Sequence, residues 1–109
     1  MKKYIILIPI YNDRESLTKL IEDINFEMKE LNSQISIIVV NDASSQQITD
    51  NYPNTENINS IEIINMKENR GHARCIASGL KYIFEKKKFD YVIPMDGDGE
   101  DRPEEIKNF

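Results

Sequence analysis

Seven consecutive residues, Tyr4 to Ile10 (YIILIPI), are apolar with no polar alternation, and this run restricts the fold more than any other feature of the chain. A strand with one wet face alternates polar and apolar residues. An unbroken, isoleucine-rich run instead belongs to a parallel strand buried on both faces. Parallel strands need crossover connections, which helices usually supply. The rest of the sequence keeps that rhythm. Asn12 followed by Glu15 reads as a capping-box start, and Leu17, Leu20, Ile21, Ile24, Met28 and Leu31 then recur at helical spacing. ISIIVV at 35–40 predicts a second buried strand. Residues 44–59, rich in Ser, Gln, Asn and Thr with Pro53, predict a loop or broken helix, and IEIIN at 61–65 a third strand. From Gly71 the pattern Cys75, Ile76, Leu80, Ile83, Phe84 predicts a second long helix, closing at Lys86–Lys88, where positive charge suits the helix dipole. DYVIPM at 90–95 predicts a fourth strand. Pro103, Glu104 and Glu105 have the composition of another helix start.

The fold class expected is therefore α/β, three layers (α/β/α) around a mostly parallel sheet of about four strands, Rossmann-like in plan. The 109 residues suit one small unit, with no repeat and no linker. A last helix that begins just before Phe109 has almost nothing to pack against, so the chain reads as the truncated N-terminal part of a larger domain.

Composition narrows the function classes. The net charge of −5 argues against nucleic-acid binding, which demands a basic face. No apolar run approaches the roughly 20 residues of a membrane-spanning helix. The opening Met-Lys-Lys and its apolar run are too short, and lack the small-residue cleavage site, for a signal peptide. A single cysteine, Cys75, permits neither an intramolecular disulfide nor a cysteine-type zinc site. A cytoplasmic location is expected, with any membrane contact left to a missing C-terminal part or to an acceptor.

The distinctive polar residues follow the C-terminal ends of strands: Tyr11 and Asn12, Asp42 to Ser45, and Asp96 to Asp101. Open α/β sheets bind ligands at that edge. In MDGDG, Met95 to Gly99, Asp96 and Asp98 share a face of an extended segment, and the adjacent glycines let a bulky group approach the backbone. Hard carboxylate oxygens suit Mg²⁺ or Mn²⁺ held jointly with substrate phosphates. The cation matters, because two like unit charges about 4 Å apart repel by about 4 kcal/mol at an effective dielectric of about 20. A solvated acidic turn has the same composition, but the full spacing of a calcium-binding EF-hand is absent. Asp42, after its own buried strand, suits either a nucleobase contact or the capping of the next turn. Pro9, Tyr11 and Asn12 suit a base pocket or simple turn chemistry.

Taken together, IPIYNDRESL, IVVNDASS, NRGHARCIASGLKYI and DYVIPMDGDGEDRPEEI resemble, in order and spacing, the successive blocks of family-two glycosyltransferases of GT-A fold. The last two are most similar to the branch that transfers sugar to a polyprenyl phosphate such as dolichyl or undecaprenyl phosphate. The resemblance implies a metal-dependent, inverting transferase using a nucleotide-diphosphate sugar donor and a polyprenyl-phosphate or glycan acceptor. It implies nucleotide contacts from Pro9, Tyr11, Glu15, Asp42, Gly71 and Asp96, and metal binding by Asp96 and Asp98. Glu15 also suits capping of its own helix. Gly71 opens a helix whose N-terminus favours phosphate. His72, with no partner acid identifiable, takes a structural role. Acceptor-site and catalytic residues are expected beyond Phe109. The chain departs from the branch at Gly97, often alanine, and at GEDRPEE, where LQDPPE is usual.

Three other classes fit less well. A nucleotidyltransferase would carry a glycine-rich basic loop after the first strand, and a dinucleotide oxidoreductase a GxGxxG there. A phosphoacceptor domain would carry an acidic pair. PIYNDRES has none of these. A non-catalytic nucleotide-binding module of the same fold differs only in activity.

Overall fold

A computed structural model describes residues 1–96, and the helix start expected at Pro103 lies outside them. The described elements are β1 (Lys2–Ile10), α1 (Arg14–Glu27), β2 (Ser33–Asn41), β3 (Ser60–Asn65), α2 (His72–Lys86) and β4 (Tyr91–Pro94). Every strand pairing is parallel, in the order β3-β2-β1-β4. The chain steps outward from β1 to β3 and then crosses back to the other side of β1. That reversal opens a crevice at the C-terminal ends of β1 and β4, where ligands bind in sheets of this kind.

The unalternating run is explained by its two faces. Tyr4, Ile6, Ile8 and Ile10 pack with Leu17, Leu20, Ile21 and Ile24 of α1. Ile5 and Leu7 pack on the opposite face with Cys75 and Ile83 of α2. β2 divides in the same way, with Ile35, Ile37 and Val39 toward α1 and Ile38 and Val40 toward α2. The α/β/α layering expected from the sequence is thus the observed architecture. On the α2 face the contact is close at Gly79, where an added Cβ would stand 2.4 Å from Leu7 Cδ1 and 3.0 Å from Val40 Cγ2.

Two local expectations are corrected. The cap of α1 is Asp13, whose carboxylate accepts the Ser16 N–H at 3.4 Å, and not Asn12. Asn12 sits at φ 50°, a left-handed conformation that asparagine tolerates, and its side chain is engaged elsewhere. The helix also stops at Glu27, before Leu31. Met28 and Leu31 still pack into the same core from the turn that follows, so the apolar spacing outlasts the helix.

The β2–β3 connection contains no helix. It is held against α1 by Asn25, which is buried: its Oδ1 accepts the Asn57 N–H at 2.8 Å, and its carbonyl accepts from Asn57 Nδ2 at 2.9 Å. Ile48, Tyr52 and Ile58 of that connection cover the remaining apolar surface. α2 closes at the lysines as expected, but Lys87 does more than face the dipole. Its ammonium pairs with Glu62 of β3, which also accepts from the Tyr82 hydroxyl at 3.0 Å.

Candidate functional site

Each wall of the crevice is a segment that leaves the sheet. After β1 the chain turns at Asn12, whose Oδ1 accepts the backbone N–H of Ser45 at 2.8 Å and of Gln46 at 3.2 Å. Its own N–H donates to Ser44 Oγ at 2.9 Å. Two loops distant in sequence are thereby joined, which is what Asn12 does in place of capping α1. Tyr11, just before this junction, is 53% exposed, so its ring and hydroxyl are open to a ligand. Pro9 lies buried inside β1 and shapes the floor. Glu15 is exposed in the first turn of α1.

At the end of β2 the work expected of one residue is divided between two. Asn41 serves the local turn, its Oδ1 accepting the Ser44 N–H at 3.1 Å while its Nδ2 donates to Asn65 Oδ1 of β3 at 3.0 Å. Asp42 reaches instead across the crevice. Its Oδ1 accepts the backbone N–H of Arg70 at 2.7 Å and its Oδ2 that of Gly71 at 2.9 Å. Asp42 is 4% exposed, and burial pushes its pKa up. The two N–H groups and the Cys75 thiol outweigh burial and hold it below the usual carboxylate value. The effect on Cys75 is reciprocal: burial first, then the neighbouring Asp42 carboxylate, push its thiol up to about 11, so at neutral pH it is protonated and donates. In sequence Cys75 figures only as part of the helix's apolar pattern and as the lone cysteine; its place one turn into α2, with Gly71 at the start, is the signal that brings it to the site.

Gly71 is the N-cap of α2 with φ 93° and ψ 163°, a conformation reserved for glycine. Its own N–H is given to Asp42, so any phosphate at this helix start would meet the N–H groups that follow. His72 is the first residue of α2, and its Nε2 bonds Asp96 Oδ1 just past β4. A partner acid for His72, which the sequence did not identify, therefore exists. Asp98 lies outside the described residues. Arg70 pairs with Glu68 on the surface, and Arg74 is exposed.

Pro9, Ile10, Tyr11, Asp42, His72 and Cys75 line a cavity of about 90 Å³. A cavity of about 250 Å³ lies at the opposite, N-terminal edge of the sheet among Lys3, Gln34, Ser36, Asn59, Glu62 and Lys87. Volume alone does not locate the ligand; the convergence of polar groups at the switch point weighs more. Among the described residues no group of three or more His, Cys, Asp or Glu side chains could hold a metal. Asp96, beside His72, carries hard carboxylate oxygens of the kind that hold Mg²⁺ or Mn²⁺ jointly with phosphate oxygens.

A sequence model described as Glycosyl transferase family 2 matches residues 5–109. Curated relatives include an undecaprenyl-phosphate 4-deoxy-4-formamido-L-arabinose transferase of Proteus mirabilis, 32% identical over 97% of this chain and 32% of the relative. A protein of the same description from Yersinia pestis is 34% identical over 97% of this chain and 32% of the relative. An uncharacterized protein of Methanocaldococcus jannaschii is 27% identical over 94% of this chain and 43% of the relative. The chain thus spans about a third of the length of the two named transferases.

Proposed function

The chain belongs to glycosyl transferase family 2, and from that premise we propose that residues 1–109 form the donor-binding part of a transferase that moves a sugar from a nucleotide-diphosphate sugar to a polyprenyl phosphate. The observation that carries this reading is the meeting of Tyr11, Asp42 and the His72–Asp96 pair at the C-terminal edge, where the order of the parallel strands reverses. Tyr11 offers a ring for the nucleobase. Asp42 fixes the segment that opens α2, so that Gly71 and the helix start approach the phosphates. Pro9 and Glu15 border the nucleoside, and Asp96 and Asp98 are assigned to the diphosphate and metal. The acceptor is proposed from what the relatives' names say they act on. A site in the cytoplasm, at the membrane face that carries a lipid acceptor, follows from this reading.

In the mechanism proposed, the acceptor oxygen attacks the anomeric carbon from the side opposite the leaving nucleoside diphosphate, which inverts the configuration. A phosphate acceptor is already ionised and needs little base assistance. Asp96 and Asp98 are the residues that would hold a divalent ion, which when bound would offset the negative charge developing on the diphosphate. The chain's own residues orient the donor: the ring of Tyr11 restricts the base, and the Asp42-anchored turn sets the distance between base and diphosphate.

Calorimetric titration with UDP, GDP and CDP, in Mn²⁺, Mg²⁺ and chelator, tests the reading. At least one nucleoside diphosphate should bind more tightly with metal, and Asp98→Asn should remove most of that gain. Equal affinity with chelator, in a folded sample, would overturn the metal assignment. Transfer of labelled sugar to polyprenyl phosphate by the chain at the full length of its relatives, and not by residues 1–109 alone, is expected. Tight nucleotide binding without transfer by either would favour a non-catalytic module.

A further inference from the structure

On the α2 side of the sheet the apolar surface ends before the strands do. Ile5, Leu7, Ile38 and Val40 pack with α2, while the positions that precede them on the same side are polar: Lys3 of β1, Gln34 and Ser36 of β2, and Ser60 of β3. The register sets them side by side, Lys3 opposite Gln34 and Ser36 opposite Ser60. α2 closes at Lys86, and the turn after it brings Lys87 and Lys88 against the same row. Together they enclose the cavity of about 250 Å³, with the buried Ile5 and Ile38 as its floor. Solvation of a strand end does not account for this row. On the α1 side of the same stretch Tyr4 and Ile35 are buried and Ile61 packs into the core, so the polar choice is confined to one side. Ser36 is the single polar residue within ISIIVV, and the small side chains of Ser36 and Ser60 leave room that larger apolar residues would fill.

The walls of this cavity are pinned to one another. The Lys3 N–H donates to Asp90 Oδ2 at 2.7 Å, and the Asp90 N–H donates back to the Lys3 carbonyl at 2.8 Å. The Asn59 N–H donates to the Ile35 carbonyl at 2.6 Å. Glu62, the one carboxylate of the lining, takes the Lys87 ammonium and the Tyr82 hydroxyl, so its charge is matched within the wall. The ammonium groups of Lys3 and Lys88 are left over: both residues are exposed, and neither forms an ion pair among the described residues. In a chain of net charge −5 the lining thus carries an excess of positive charge. The C-terminal end of α2 opposes it with about half a unit of negative charge, less than the two unmatched lysines supply.

An anion is the ligand that these groups suit, and Ser36, Ser60, Gln34 and Asn59 can donate to its oxygens or to hydroxyls beside it. The lining holds no arginine, whose planar fork fits carboxylates; an ammonium meets a phosphate as a point charge. The volume lies below the roughly 300–1,000 Å³ of sites for drug-sized ligands, which limits the body attached to the phosphate to about one sugar ring. We propose that the cavity at the N-terminal edge of the sheet is a second binding site, taking a small phosphomonoester between Lys3 and Lys88, with the hydroxyls of Ser36 and Ser60 at its base. It lies at the edge opposite the donor crevice and does not depend on the donor-binding reading.

Titration of the chain with inorganic phosphate, glucose 6-phosphate and glucose, followed by calorimetry and by amide resonances, tests the site. Glucose 6-phosphate should bind at millimolar concentration or below, and the resonances that move should be those of Lys3, Gln34, Ser36, Ser60 and Lys88. Glucose should not bind. Phosphate that binds as well as the ester would support the site and show that it reads the anion alone. Lys3→Gln and Lys88→Gln should each weaken binding by about tenfold, the usual size of a lost hydrogen bond to a charged group. Both side chains are exposed, so the melting temperature should not change. Ser36→Leu, which fills the cavity, should abolish binding in a sample shown to be folded by its melting curve. Absence of binding by the wild type, or equal affinity in the two lysine variants, would overturn the proposal. Displacement of glucose 6-phosphate by UDP would place the ester in the donor crevice and overturn it as well, whereas failure of UDP to bind at all would overturn only the donor-binding reading.

Discussion

Asp42 at the end of β2 and Gly71 at the start of α2 are joined by a hydrogen bond of 2.9 Å between the Asp42 Oδ2 and the Gly71 N–H. With the bond from Arg70 to Oδ1, both oxygens of a buried carboxylate are committed to the backbone. The relationship explains why α2 begins where it does. Its N-cap, Gly71, has no side chain with which to cap, and the turn before the helix is held instead from across the crevice. The carboxylate therefore shapes the site even where it does not touch a ligand.

Replacing Asp42 by asparagine keeps the volume but turns one acceptor into a donor that faces a backbone N–H. A buried donor left without a partner costs about 1–3 kcal/mol, so Asp42→Asn should lower unfolding stability by that amount in denaturant titration. If Asp42 also contacts a base, the ranking among UDP, GDP and CDP should change. A weaker but identically ordered set of affinities would limit its part to anchoring the turn.

The depressed pKa of Asp42 gives stability a defined pH dependence. Burial opposes ionisation, but the N–H groups of Arg70 and Gly71 and the Cys75 thiol prevail, so the folded value lies below 3.8. A group depressed on folding contributes stability above its unfolded value, and that contribution is lost as the pH falls through the folded value. Wild type should lose stability steeply below about pH 4, and Asp42→Asn should show a flatter acid limb. Parallel acid limbs in melting curves of the two proteins would contradict the assignment.

Gly79→Ala sets two effects in opposition. Alanine is favoured over glycine inside a helix by about 1 kcal/mol. Here the added methyl would meet Leu7 Cδ1 at 2.4 Å and Val40 Cγ2 at 3.0 Å, both in the packed layer between α2 and the sheet. Overpacking of that kind costs about 1–3 kcal/mol, so a net loss of up to about 2 kcal/mol is expected in chemical denaturation. A gain in stability would show that the leucine yields freely.

The α/β/α order was legible in the sequence because burial on both faces leaves a one-dimensional trace. YIILIPI and ISIIVV lack alternation, and no half-exposed strand would tolerate that. The edge at which polar residues gather was legible for a related reason: each group follows directly on an apolar strand. What each polar residue does there was not legible. Asn12 and Asp42 both resemble local caps in sequence, and Asp13 and Asn41 do that local work, because neighbouring short polar side chains are interchangeable until the chain's path decides which faces the turn. The His72–Asp96 bond was hidden for the same reason, its partners lying 24 residues apart. Hydrophobic periodicity is a property of one segment against a medium, so the sequence alone determined the elements, the layers and the edge at which the polar residues gather. A hydrogen bond between side chain and distant backbone depends on the relative position of two segments. Only the tertiary structure, through the return of the chain from β3 across to β4, could decide that Asp42 holds the start of α2 and that His72 meets Asp96.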